Sequence, residues 1–182
     1  FASTPRGLDL GCGIGRHVRF IDDMNMDAYG IDLSRVAIEE ALNICKAERR
    51  DHLANRFHIG SITDMPYDNA YFDFIVSHGV LDSLPLELAK EAISEAKRIL
   101  KPGGLFYLDL VSGDDSAHYP EYSGEETVTG PFESNTIQSY FNLDRIYDLI
   151  NGHFEMIDCT LIKHKNVIGN SWHSRYHLAL SS

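Results

Sequence analysis

Three glycines impose the tightest constraint on this chain. In Leu8-Asp9-Leu10-Gly11-Cys12-Gly13-Ile14-Gly15, an apolar run from Gly7 to Leu10 meets glycines at 11, 13 and 15, and an amphipathic segment follows from Arg16. Glycines between a strand and a helix let the backbone turn tightly and let another group come close to it. Arg16 to Met24 reads as a helix with Val18, Phe20 and Ile21 on its apolar side. Ala28 to Ile31 reads as a second strand, and Ser34 as the N-cap of a long helix with Val36, Ile38, Ala41, Leu42 and Cys45 on one stripe.

The alternation continues. Phe57 to Ile59 is a third strand and Tyr71 to Ser77 a fourth, where the run Phe72, Phe74, Ile75, Val76 implies burial on both faces. A helix from about Leu86 to Leu100 turns Leu88, Ala92, Ile93, Ala96 and Ile99 inward and stops at Lys101-Pro102-Gly103-Gly104. Leu105 to Val111 is the fifth strand. Strands and helices in this rhythm imply right-handed βαβ units and a parallel sheet. Residues 112 to 141 show no clean period and read as a long excursion. After a helix over Leu143 to Ile150, Phe154 to Lys163 and Trp172 to Leu180 read as two strands with no helix between them, hence an antiparallel hairpin. The predicted fold is α/β: a Rossmann-like, doubly wound, mainly parallel sheet of about seven strands closed by a C-terminal antiparallel hairpin, in one domain over residues 1–182.

The charge narrows the partners. Lys plus Arg number 16 against 27 for Asp plus Glu, a net charge of -11, which argues against an electrostatic grip on nucleic acid or on an anionic membrane. No apolar run approaches the ~20 residues that span a bilayer. Cys12, Cys45 and Cys159 form no CxxC pair, so a reducing cytoplasm is the expected setting. His173 and His177 could share one strand face, but no Cys or acid stands at a supporting spacing, and no metal site is expected. Oligomeric state is not legible.

The chemistry concentrates at the glycine loop. The helix N-terminus behind it offers free N–H groups and a positive dipole end, suited to a carboxylate or phosphate. In Gly30-Ile31-Asp32-Leu33-Ser34 the next strand ends on an acid, placed at the carboxyl edge where it can accept hydrogen bonds from both hydroxyls of a ribose. A dinucleotide fingerprint would need its third glycine at position 16, where Arg16 stands. The spacing is instead G-x-G-x-G, with Asp9 two residues before it.

On these residues the chain resembles the class I S-adenosylmethionine-dependent methyltransferases, in their broad small-molecule branch of the type 11/25 kind, from Gly7 to Leu180. The resemblance implies S-adenosylmethionine as cofactor. It implies that the motif from Leu8 to Gly15, with Asp9, Gly11, Cys12, Gly13 and Gly15, wraps its methionine end, that Asp32 holds the ribose, and that Arg16 and Leu33 also bind the cofactor. Gly60-Ser61-Ile62-Thr63-Asp64-Met65-Pro66 resembles the segment that contacts the adenine, through Ser61, where the family usually has Asp, and the backbone of Ile62. Phe72 to His78 is similar to the family's fourth strand, whose end, at Ser77, runs beneath the cofactor. Val80-Leu81-Asp82-Ser83-Leu84 follows the usual pattern with Ser83 in place of a histidine, and Arg98 to Gly104 matches the turn into strand five. The family's upstream helices would precede Phe1.

For methyl transfer to a small-molecule acceptor, through O, N, S or C, the protein aligns the nucleophile with the methyl group, and a base helps only a nucleophile that starts protonated. His78, at the edge of strand four, is the candidate base; alternatively it only lends backbone to the pocket. Asp82 is placed either to orient a substrate amine or to cap the following helix. His118, Tyr119 and Tyr122 fall in the excursion, where the family builds its substrate cover. Cys12 reads as a small residue between glycines, with a reactive thiol as the alternative. Ser77-His78-Gly79-Val80 lacks both the Asn/Asp-Pro-Pro-aromatic pattern of base-amine methyltransferases and the Pro-Cys of cytosine C5 enzymes, so DNA and RNA are not the expected substrates. An NAD-dependent oxidoreductase of the same fold class and a non-catalytic S-adenosylmethionine-binding module are the alternatives.

Between Pro102 and Asp144 stand eight acids, Asp109, Asp114, Asp115, Glu121, Glu125, Glu126, Glu133 and Asp144, and no Lys or Arg. Tyr119, Tyr122, Phe132, Tyr140 and Phe141 are interleaved with them. Such a cover would favour neutral or cationic acceptors over anionic ones.

Overall fold

A computed structural model describes residues 4–129 and 134–182; the Phe132 and Glu133 of the sequence argument lie outside these. The chain runs β1 (Arg6–Leu10), α1 (Arg16–Asp23), β2 (Asp27–Asp32), α2 (Arg35–Ala47), β3 (Phe57–Ile59), β4 (Phe72–Ser77), α3 (Leu86–Ile99), β5 (Leu100–Val111), β6 (Gly124–Thr129), β7 (Ser134–Tyr140), α4 (Leu143–Ile150), β8 (Glu155–Lys165) and β9 (Trp172–Ser181). One seven-stranded sheet has the order β3-β2-β1-β4-β5-β9-β8. Its first five strands are parallel, and β9 lies antiparallel between β5 and β8. The doubly wound sheet with its terminal hairpin is the architecture expected from the sequence.

Two apolar cores lie on the two faces. Val18 and Ile21 of α1 join Ile38, Ala41 and Cys45 of α2 against Ala28 and Phe57. On the other face, Ala89, Ala92, Ile93, Ala96 and Ile99 of α3 and Ile146 and Leu149 of α4 close over Ile75, Phe106, Leu108 and Leu180. Ser34 caps α2 as expected, its Oγ accepting from the Ala37 N–H at 3.2 Å. Two apolar positions do not turn inward: Phe20 is 62% and Val36 75% exposed. Each lies two residues, some 200° of helix, from a buried neighbour, Val18 or Ile38. Leu88 is also outside the core and instead borders the cavity described below.

In β4, Phe72 and Ile75 are buried, but Phe74 and Val76 are only half-buried. They line an open groove with Phe20, Met24 and Tyr107. The excursion holds more order than its sequence shows. β6 and β7 form an antiparallel pair from Gly124↔Tyr140 to Thr129↔Ser134. β6 is exposed along most of its length, so no apolar alternation marked it.

Candidate active site

The glycine loop crosses the carboxyl ends of β1 and β2. Gly11 has φ +65°, and a Cβ there would lie 2.5 Å from Cγ2 of Val80, so both backbone conformation and space require glycine. Gly15, at φ 75°, precedes α1 without a side-chain cap. Beside the loop opens a cavity of about 420 Å³, within the range of small-molecule sites. Gly11, Asp32, Leu33, Ser61 and Ile62 line it, five of the positions singled out in the sequence. Val80, Ser83 and Leu84, following β4, form the opposite wall.

Asp32 is fixed on both oxygens. Gly13 N–H donates to Oδ2 at 2.8 Å and Ser34 N–H to Oδ1 at 2.8 Å. Each oxygen keeps a further lone pair for a ligand donor. Ser61 is partly committed, since its Oγ accepts from Thr63 N–H at 3.2 Å and lies 2.8 Å from the Thr63 hydroxyl.

Asp9 is 2% exposed at the end of β1. Its Oδ1 is 3.4 Å from Nδ1 of His17, and its Oδ2 has no hydrogen-bond partner. Burial pushes the carboxyl above its usual range, against the opposing pull of His17. An orphaned buried carboxylate oxygen below the loop is suited to a cationic donor.

Of the eleven expected cofactor residues, Asp9, Cys12, Gly13, Gly15, Arg16 and Ser77 are not in the cavity lining, and neither is His78. Ser77 is buried within β4, opposite Leu10 and Leu108, and is not in the cavity lining. Arg16 is exposed at the start of α1, away from that lining. Cys12 is buried against Gly30, where a Cβ would come within 2.7 Å of its Sγ. Burial, then Asp9 and Asp32, push its thiol far up, which disfavours the thiolate form.

His78 follows β4, and its Nδ1 lies 2.5 Å from Oδ2 of Asp109. Asp109 is buried in β5 and accepts from Gly79 N–H at 2.7 Å and from Arg175 Nε at 2.8 Å. Burial pushes Asp109 up, but the Arg175 hydrogen bond and charge and the Gly79 N–H outweigh it and hold the carboxyl below its usual range. Arg175, on β9, also donates through Nη2 to Asp82 Oδ2 at 2.6 Å, and Val111 N–H donates to the same oxygen at 3.0 Å.

Asp82 therefore neither caps α3 nor faces solvent. It is 2% exposed and binds Arg175, while Leu86 N–H at the start of α3 is met by Glu125 of β6. In the sequence Asp109 stands out only as one of eight acids in a run, and Arg175 not at all. The available signal was an acid between two core leucines, Leu108 and Leu110, which has to find a buried partner.

The excursion grips the same wall of the cavity. Gln138 donates to the Asp82 carbonyl at 3.0 Å and Ser139 to the Leu84 carbonyl at 2.6 Å. His118 stacks on Tyr122, ring centroids 4.2 Å apart, and reaches Asp115 and Glu126, each at 3.0 Å. Tyr119 is exposed and meets Tyr122 edge-on. Three acids of this region are neutralised by a Lys or Arg: Asp114 by Lys163, Glu125 by Arg145, and Asp109 by Arg175. The negative field at the cover is therefore weaker than the residue count implies.

Tyr107 Oη meets His177 Nδ1 at 2.6 Å, and His173 stacks on His164, so the two β9 histidines serve cross-strand contacts. Among the described residues, no group of three His, Cys, Asp or Glu is placed to hold a metal ion, and no helix is long and apolar enough to cross a membrane.

Comparison with known proteins agrees with this geometry. A family model described as a methyltransferase domain matches residues 8–108. A malonyl-[acyl-carrier protein] O-methyltransferase of Enterobacter lignolyticus is 30% identical over 112 residues, 60% of this chain and 40% of that protein. The chain spans 42%, 18% and 42% of the lengths of three further curated relatives. Among solved structures, a SAM-dependent methyltransferase of Methanosarcina mazei superposes with a TM-score of 0.80 at 20% identity, covering 100% of this chain and 94% of that one. The 1,6-didemethyltoxoflavin-N1-methyltransferase of Burkholderia thailandensis, with bound 1,6-didemethyltoxoflavin and S-adenosylhomocysteine, superposes with a TM-score of 0.77 at 16% identity, over 98% of this chain and 72% of that one. The chain belongs to the methyltransferase-domain family and is a class I, S-adenosylmethionine-dependent methyltransferase fold.

Proposed function

We propose that this chain transfers a methyl group from S-adenosylmethionine to a small-molecule acceptor. The observation that carries this reading is Asp32, held on both oxygens by backbone N–H groups at the wall of a cavity beside the glycine loop. Asp32, with Leu33, binds the ribose. Gly11, Gly13 and Gly15 let the backbone approach the methionine end, and the unpartnered Oδ2 of Asp9 accepts from the ammonium there. Ser61 and Ile62 border the adenine. The bound cofactor supplies an electrophilic methyl group on a sulfonium.

The protein's remaining work is to orient the acceptor, exclude water and take up a proton. His78 is the proton acceptor, which is useful for a nucleophile that arrives with its proton, such as a hydroxyl or a protonated amine. The β6–β7 pair and the aromatic residues around His118 cover the acceptor. Neutral or cationic acceptors are favoured over anionic ones by the exposed Glu121 and the tyrosines beside it. Two named relatives support a small-molecule or carrier-borne acceptor, one by its bound 1,6-didemethyltoxoflavin and one by its name as a malonyl-[acyl-carrier protein] O-methyltransferase.

Calorimetric titration with S-adenosylhomocysteine and, separately, with NAD tests the reading. Binding of the first and not the second is expected; tight NAD binding without S-adenosylhomocysteine binding would overturn it in favour of an oxidoreductase.

A further inference from the structure

The polar residues behind His78, which precedes the cavity-lining Gly79, form a continuous line to the terminal hairpin. The Asp109 carboxylate can only accept, so a carboxylate oxygen 2.5 Å from His78 Nδ1 favours the tautomer that carries its proton on that nitrogen. Asp109 cannot turn away from that ring. Gly79 N–H holds its Oδ1 at 2.7 Å, and Arg175 Nε holds the Oδ2 that faces His78 at 2.8 Å. Arg175 in turn cannot leave, because its Nη2 is bound to buried Asp82 at 2.6 Å. The His78 side chain itself is 41% exposed, while that of Asp109 is fully buried. Nδ1 thus faces the buried acid, while the ring as a whole keeps an exposed side.

We propose that Arg175 and Asp109 are positioning residues that lock neutral His78 in its Nδ1–H tautomer, leaving the Nε2 lone pair free to take a proton from the acceptor. This rests on the reading of His78 as proton acceptor. In the step so prepared, the O–H or N–H bond of the acceptor breaks and its electron pair stays on the nucleophile. The proton goes to Nε2, and the resulting imidazolium keeps its Nδ1–H on the Asp109 carboxylate, which stabilises the charge without itself taking the proton. The unit differs from a surface His–Asp contact in having a cation on its far side. Arg175 keeps Asp109 ionised, and an ionised acid is the acceptor that selects Nδ1–H.

Long-range nitrogen–proton NMR of the ¹⁵N-histidine-labelled full chain reads the tautomer directly, with no acceptor needed. The expected result is Nδ1–H at neutral His78 in the parent. Asp109→Asn should move the population towards Nε2–H. Arg175→Met should do the same, and Arg175→Lys, which keeps a cation between the two acids, should restore the parent ratio at least in part. S-adenosylhomocysteine affinity within about twofold of the parent establishes that each variant is folded at the cofactor site. An Nε2–H parent overturns the proposal whatever the variants do, and so does a parent ratio unchanged in Asp109→Asn. A locked tautomer together with undiminished methyl transfer in His78→Gln would instead leave the positioning intact and sink only the role of His78 as base.

Discussion

The Gly13 N–H donates to Oδ2 of Asp32 at 2.8 Å, so the glycine loop and the end of β2 form one hydrogen-bonded unit. Two sequence features nineteen residues apart are thereby a single ligand platform. Asp32→Ala removes the ribose acceptor and also frees the loop. The expected loss of S-adenosylhomocysteine affinity exceeds ~1 kcal/mol, read by calorimetry. An unchanged affinity would mean that the ribose lies elsewhere.

Gly11→Ala should damage both fold and site. The new methyl group would face a φ of +65° and sit 2.5 Å from the Val80 side chain. A non-glycine residue in this region costs about 1–3 kcal/mol, before any displacement of Val80 from the cavity wall. Urea unfolding should report that loss, and calorimetry a parallel fall in cofactor affinity.

Asp9→Asn should separate stability from function. The carboxyl is held above its usual range by burial, so its ionised form is disfavoured in the folded chain, and the penalty grows as pH rises from its ordinary value of 3.8 towards the raised one. The amide removes that penalty, so stability at neutral pH should be kept or raised. Cofactor affinity should fall, because the oxygen that awaits a cation loses its charge. Equal affinity in both proteins would argue that Asp9 only supports the loop through His17.

The clamp at His118 should give the cover a pH window. Burial pushes the imidazole down, but its hydrogen bonds to Asp115 and Glu126 outweigh this and hold it above its ordinary 6.5. Its contribution to stability is therefore complete below that ordinary value and is lost as pH rises through the raised one. Asp115 and Glu126 are both held low; their contribution is present above the ordinary carboxylate values and fades as pH falls through the lowered ones. In urea titrations, the stability gap between the parent and His118→Gln should be widest between these limits and narrow towards both acid and alkali. A gap independent of pH would show that stacking on Tyr122 and packing against Tyr140, and not charge, hold the clamp.

Arg175→Met should be among the most destabilising single changes outside the apolar cores. It leaves two buried acids, Asp82 and Asp109, without their shared cation, a loss on the order of 3 kcal/mol. Adding Asp82→Asn should recover part of it, which a double-mutant cycle would measure.

The platform was legible in the sequence because its determinants are local. Gly11, Gly13 and Gly15 are needed by backbone conformation and close approach, and Asp32 by its place at the end of a recognisable strand. The helices and the parallel strands followed from apolar spacing alone. What escaped depends on groups distant in the chain. Asp82 and Arg175 are 93 residues apart, and no periodicity announces that one will neutralise the other. Glu125, placed in an acidic run, gave no sign that it would meet the free N–H of Leu86. The β6–β7 pair escapes a sequence reading because it is held to the carbonyls of Asp82 and Leu84 through Gln138 and Ser139, and β6 shows little apolar alternation.

The place of β9 in the sheet has a consequence for how the molecule comes into being. It is translated after every other element described, yet it lies inside the sheet, paired with β5 on one side and β8 on the other. During synthesis the edge of β5 stays open until β9 has left the ribosome, and these long-range pairings form late. Because Arg175 rides on that strand, the nascent chain can already have its glycine platform while the imidazole at position 78 still lacks its anchor. Competence in binding and competence in proton transfer would then be acquired at different moments, in that order.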